Sequence, residues 1–185
     1  MMDLGASVFV QSDDRCNDGY KSLKERADAV PELKKEKDAS VYAKVACEKW
    51  LDVRSFGQVF AFKGDDVSIG VRGPVSIHPA FSVEPIESRS IQITKSVNSV
   101  TGSKKSSDTM GMKHYVDFGV YTTYGSINCQ LAEKTGFSAE DANLVKQALL
   151  TLFENDTSSA RPDGSMEVIR LYWWEHNCKS GQYSS

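Results

Sequence analysis

An α+β fold is predicted for this chain, and three stretches carry the prediction. Tyr115-Val-Asp-Phe-Gly-Val-Tyr-Thr-Thr-Tyr124 is β-branched and aromatic, with apolar side chains at every second position, the period of a strand. Val145, Ala148, Leu149, Leu152 and Phe153 form one stripe at helical spacing behind Ser138 and Asp141, an approximate capping box in which Asp replaces the longer Glu. Met166-Glu-Val-Ile-Arg-Leu-Tyr-Trp-Trp174 reads as a final strand. A length of 185 residues suffices for one domain with a real core, and 40% hydrophobic against 25% charged residues sets the chain apart from disordered ones.

In chain order, residues 13–37 are dense in charge and carry little periodic apolar signal, so they read as a loop or an exposed helix. Residues 1–37 are accordingly expected to be a poorly ordered lead to a single partial domain over 38–185. Asp38 caps a helix whose stripe runs through Tyr42, Val45, Ala46, Lys49, Trp50 and Val53, with Trp50 as a core anchor. Val59-Phe-Ala-Phe62 and Val67-Ser-Ile-Gly-Val71, joined by the turn Lys63-Gly-Asp-Asp66, form a short hairpin signature. Gly57 and Gly70 leave backbone open to close approach by another chain or ligand. Val75, Ile77, Phe81 and Val83 alternate, but Pro74, Pro79 and Pro85 remove ladder donors, so that strand should be an edge, bulged or bent.

Residues 88–114 differ from the rest. Their centre, Ser96-Val-Asn-Ser-Val-Thr-Gly-Ser-Lys-Lys-Ser-Ser-Asp108, cannot pack a core of its own. Ile91-Gln-Ile-Thr-Lys95 leads into it and Thr109-Met-Gly-Met-Lys-His114 leads out, so the arm reads as a partly paired excursion. It holds five Lys/Arg against one acid, whereas residues 1–52 hold nine against eleven and residues 133–175 four against eight. A cationic island in a chain of net charge −3 suggests local grip on a polyanion, the plainer alternative being a solvated loop. Arg54 and Arg72 flank the hairpin and are candidates to hold phosphates or to close ion pairs.

Other chemistry is sparse. The N-terminus lacks the pattern of a signal peptide, and no stretch approaches the roughly 20 apolar residues of a membrane span. Cys16, Cys47, Cys129 and Cys178 form no Cys-x-x-Cys pair and are expected as buried, reduced thiols of a cytoplasmic protein. His78, His114 and His176 are dispersed, so no metal and no cofactor is expected. No phosphate-binding loop, nucleophile elbow or zinc-protease helix is present.

The order strand, arm, strand, helix, strand resembles the back half of a ferredoxin-like unit, the fold of the RNA-recognition module. An ordered set of segments then resembles the Cas7 family, the repeating backbone subunit of the type I-C CRISPR Cascade complex. These are Asp52-Val-Arg-Ser-Phe-Gly57, Val71-Arg-Gly-Pro-Val75, Phe81-Ser-Val-Glu-Pro85, Thr109-Met-Gly-Met-Lys-His114, Leu131-Ala-Glu-Lys-Thr-Gly-Phe137 and Phe153-Glu-Asn-Asp156. The resemblance implies an RNA-recognition-like palm with an inserted thumb at about 88–114. It further implies copies stacking along a guide RNA that pairs with target DNA, other Cascade subunits as partners, and no nuclease activity. Arg54, Arg72, Lys95, Lys104, Lys105, Lys113 and His114 are the expected RNA-binding residues. The alternative is an endoribonuclease on the same fold, using His114 with Lys113 or Tyr115. The family's opening strand, with its Asn/Gly/Pro/Asp-rich motif, and its basic helix have no counterpart here, and the family continues beyond the position of Ser185. The chain is therefore expected to be a fragment or the product of a truncated gene, with a sheet short by one strand.

Overall fold

The computed structural model describes residues 1–34, 36–62, 68–95 and 110–182. It divides into two bodies, Met1–Ser76 with Ser126–Ser185, and Ile77–Gly125.

The first body begins with a departure from the sequence reading. Within residues 13–37, Ser22 caps helix α1 (Leu23–Asp28) by accepting from the Glu25 N–H at 3.1 Å, and Ala27, Val30 and Leu33 are buried. Only Ala27 lies in the helix; Val30 and Leu33 follow in the bend and turn after it, so no sustained helical stripe marks the three in the sequence. One of the segment's charges is itself internal. Arg26 is 4% exposed and donates to both Asp18 oxygens (2.5 and 3.0 Å) and to the Phe9 carbonyl (2.8 Å). That pairing holds the Asp18 carboxyl down at about 2.

Helix α2 (Ala39–Lys49) starts where Asp38 accepts from the N–H groups of Ser40 and Val41, as expected of a cap. Trp50, 3% exposed, separates it from α3 (Leu51–Phe56) and anchors the core. Asp52 straps down the N-terminal segment: its two carboxylate oxygens each accept at 2.8 Å, from the N–H groups of Phe9 and Val10. Phe9 is thereby pressed between Trp50 and Phe60, with ring centroids at 4.6 and 5.0 Å. Ala27, Val30, Leu33, Tyr42, Ala46, Cys47, Val53 and Ile69 complete this core.

Strands β1 (Gly57–Phe60) and β2 (Ile69–Arg72) form the expected antiparallel hairpin, from Gly57↔Arg72 to Phe60↔Ile69. Its expected turn lies outside the described residues. Gly57 has φ +84°, and a Cβ there would meet the Val71 carbonyl oxygen at 2.3 Å. A Cβ on Gly73 would meet the Ser55 oxygen at 2.3 Å and the Gly57 nitrogen at 2.5 Å. The close approach expected at Gly57 is thus made by this chain's own backbone, whereas Gly70 has nothing within 4 Å.

Beyond β3 (Val75–Ile77) the chain enters the second body through β4 (Phe81–Ser82) and β5 (Ser88–Thr94). It returns through β6 (Met110–Val116), β7 (Tyr121–Thr122) and β8 (Gly125–Ile127). The pairs are β3 with β8, β4 with β7 and β5 with β6, so with β1 and β2 there are four two-stranded sheets among the described residues. The single strand expected over 115–124 is therefore split. Pro79 and Pro85 interrupt the outgoing partner, removing ladder donors, and the returning strand breaks across from them.

A second core of Val75, Phe137 and Val145 lies under α4 (Cys129–Thr135) and α5 (Ala139–Leu150). The capping box is present: Ser138 Oγ accepts from the Asp141 N–H at 3.2 Å, and Asp141 Oδ2 accepts from the Ser138 N–H at 3.0 Å. Of the expected stripe, Val145 is buried and Leu149 packs partly buried, but Leu152 is 50% exposed. The helix ends at Leu150, so positions beyond it leave the stripe. Residues 166–174 form no ladder, since no other strand is hydrogen-bonded beside them among the described residues. The thiols also differ from expectation. Only Cys47 is buried, which pushes it up to about 11; Cys16 is half-buried, and Cys129 and Cys178 are exposed. The helices and strands together make the α+β class that the sequence predicts. Among the described residues, no helix is long and apolar enough to cross a membrane.

Candidate nucleic-acid interface

The second body is a two-stranded ribbon. Near its base the His78 N–H donates to the Tyr124 carbonyl and the Val83 N–H to the Val120 carbonyl, each at 2.8 Å. Further out, β5 and β6 pair in continuous register from Ser88↔Val116 to Thr94↔Met110, and every residue of both strands is exposed. Directly opposed residues share a face, and chain neighbours take opposite faces. One face therefore carries Arg89 with Tyr115, Ile91 with Lys113, and Ile93 with Gly111. The other carries Ser90 with His114, Gln92 with Met112, and Thr94 with Met110.

This register sorts the candidate residues. Lys113 and Arg89 lie on one face, and Arg89 Nε sits 2.8 Å from Asp117 Oδ2. His114 is on the other, with Nδ1 2.7 Å from Ser90 Oγ. The Lys113, His114 and Tyr115 set considered for RNA cleavage is thus not assembled, because His114 faces away from both neighbours. Lys95 follows β5 directly and is exposed. Lys104 and Lys105 lie outside the described residues. Arg89 was legible in the arm's charge, but only the register places it beside Lys113.

The two arginines of the first body have different surroundings. Arg72, at the end of β2, is exposed. Arg54 donates through Nε and Nη2 to the two oxygens of Asp141, at 2.8 and 2.7 Å, and through Nη1 to the Cys47 carbonyl at 3.3 Å. Burial raises the Asp141 carboxyl, but the hydrogen bonds from Arg54 and from the Ser138 N–H outweigh it, and the net direction is down. Arg54 therefore ties α3 to the start of α5.

The segments noted in the sequence are working parts of this frame. Asp52-Val-Arg-Ser-Phe-Gly57 supplies the strap on Phe9, the buried Val53, the Arg54 fork and the Gly57 approach to Gly73 in Val71-Arg-Gly-Pro-Val75. Leu131-Ala-Glu-Lys-Thr-Gly-Phe137 ends α4 on Gly136 at φ +75° and delivers Phe137 to the second core. In Phe153-Glu-Asn-Asp156, Asp156 accepts from Arg161 Nε at 2.7 Å. The model of the family described as CRISPR-associated protein Cas7 matches residues 1–185. The chain belongs to that family. Cas7 membership points to an RNA-binding backbone subunit. No curated protein matches the chain.

Proposed function

We propose that this Cas7 chain is a non-catalytic guide-RNA-binding subunit whose copies polymerise along the guide as the backbone of a type I-C Cascade complex. The guide then recognises target DNA by base pairing, within an assembly that includes other Cascade subunits. The observation that carries the reading is a fully exposed β5–β6 ladder that presents Lys113 on one face and His114 on the other, in a member of the Cas7 family. Arg72, Lys95, Lys104, Lys105, Lys113 and His114 are RNA contacts, each in its own right, and the arm at about 88–114 is the thumb. Arg54 is a positioning residue through Asp141. A grip on phosphates is electrostatic, so affinity falls steeply with salt and varies little with guide sequence.

The test is RNA binding across a salt series, with Lys104 and Lys105 replaced together by Ala. Each phosphate contact on a single strand contributes roughly 0.7 to the slope of log affinity against log salt. The double variant should therefore weaken all RNAs alike and flatten the slope by about 1.4. Unchanged affinity and slope would remove the arm as the phosphate grip.

A further inference from the structure

Residues 166–176 run without helix, turn or bend, and from Arg170 to Trp174 their burial alternates. Leu171 and Trp173 are half-buried, while Arg170, Tyr172 and Trp174 are exposed, the last two at 62% and 75%. The exposed set is ordered. The Tyr172 and Trp174 rings stack with centroids 5.9 Å apart and planes 14° from parallel. The Arg170 guanidinium lies 5.9 Å from the Tyr172 ring centre, and its Nη1 donates to the Tyr172 hydroxyl at 3.1 Å. On the opposite side, Lys146 Nζ stands 5.6 Å from the Trp173 ring centre, holding that indole against α5. Trp173 is thus turned inward against Lys146, and the outward side chains form a row of flat π-faces.

We infer that Arg170, Tyr172 and Trp174 form a stacking platform for the unpaired bases of a single-stranded nucleic acid. Alternate side chains of an extended backbone repeat at about 6.6–6.8 Å, close to twice the 3.4 Å stacking distance of bases. The 5.9 Å gap between Tyr172 and Trp174 therefore needs to open by only about 1 Å to admit one base. Within the alternating stretch 170–174 the outward row carries one cation, Arg170, and no carboxylate. A partner strand of protein would gain from apolar side chains here, but two of the three exposed residues are polar at the tip, and the third is an indole. Stacking on Tyr, Trp and Arg is tolerant of base identity, because every base has a π-face. The platform belongs to the first body and acts on bases, so it does not depend on the ribbon being a phosphate grip.

The experiment uses the full chain and two labelled single strands of about 12 nucleotides, within the range of single-strand site sizes. One is oligouridylate and the other is the same backbone with abasic sites throughout. Oligouridylate should bind more tightly and quench tryptophan emission, while the abasic strand should bind weakly without quenching. Trp174→Ala should weaken oligouridylate roughly 5- to 140-fold and leave the abasic strand unchanged. Trp174→Phe, which keeps an aromatic face and guards against misfolding, should recover most of the affinity and lose the quenching. Equal binding of the two strands by the unmodified chain would overturn the platform, even if both bound well through the ribbon. So would concentration-dependent self-association that masks Trp174 and is abolished by Trp174→Ala without effect on RNA, which would assign the face to protein. Loss of binding in the Lys104/Lys105 variant with the uridylate-to-abasic ratio intact would leave the platform standing and separate it from the proposed function.

Discussion

Replacing Arg54 by Ala separates a structural arginine from an RNA contact. The change removes two charge-assisted hydrogen bonds to Asp141 and one to the Cys47 carbonyl, leaving a carboxylate that is 7% exposed without its cation. Breaking a buried pair by removing one partner costs roughly 3–5 kcal/mol. The guanidinium is itself 22% exposed, so water relaxes part of the loss and about 3 kcal/mol is expected. Asp141→Ala strands Arg54 and also opens the capping box with Ser138, adding about 1 kcal/mol for a total near 4. The double variant should cost much less than the sum, with a coupling energy of about 2–3 kcal/mol. In urea unfolding with a slope of about 2 kcal/mol per molar, Arg54→Ala should lower the midpoint by about 1.5 M. Strictly additive variants would refute the pairing. A stable Arg54→Ala variant whose RNA salt slope fell by roughly 0.7 would place Arg54 on the RNA instead.

Three further outcomes follow from the first body. Asp18 is held at about 2 against an ordinary 3.8, so its contribution is present above about pH 4 and lost as pH falls towards 2. With its side chain 27% exposed, that amounts to about 1–2 kcal/mol, and acid titration of Asp18→Asn should lack this loss. Phe9→Ala should cost about 3–5 kcal/mol, and a loss below 1 would take the N-terminal segment out of the core. Gly57→Ala should cost at least about 2 kcal/mol through backbone collision at positive φ, while Gly70→Ala, with open space around it, should be nearly neutral; equal effects in thermal unfolding would contradict the interlock.

Local signals were readable in the sequence and distant ones were not. The Asp38 cap, the Ser138 and Asp141 box and the Trp50 anchor depend on side chains a few residues apart, where periodicity and capping chemistry operate. The burial of Phe9 depends on Asp52, more than forty positions away, and no local pattern announces that strap. The split of residues 115–124 was equally hidden, because its cause lies in the prolines of the partner strand. Among the site residues, Arg54 was open in the sequence to a phosphate or an ion pair, and its partner Asp141 lies 87 positions away. That Lys113 and His114 take opposite faces follows from strand alternation alone, but which residues share each face needs the register.

The frame closes on itself where the ribbon departs: the Asn128 N–H donates to the Pro74 carbonyl at 2.9 Å, just inside Ser76 and Ser126. The ribbon is therefore an exchangeable cassette, free to change length without opening either core, since the entropy of closing a loop grows only slowly with its length. Parity governs such changes. Adding two residues to each arm of the β5–β6 ladder lengthens its reach by about 6.6–6.8 Å and keeps Lys113 and His114 on their own faces. Adding a single residue to one arm exchanges the faces of everything beyond it, unless a bulge absorbs the extra position. Reach and facing are thus separately adjustable, and inserts of even length are the ones that extend the cassette while preserving what each face presents.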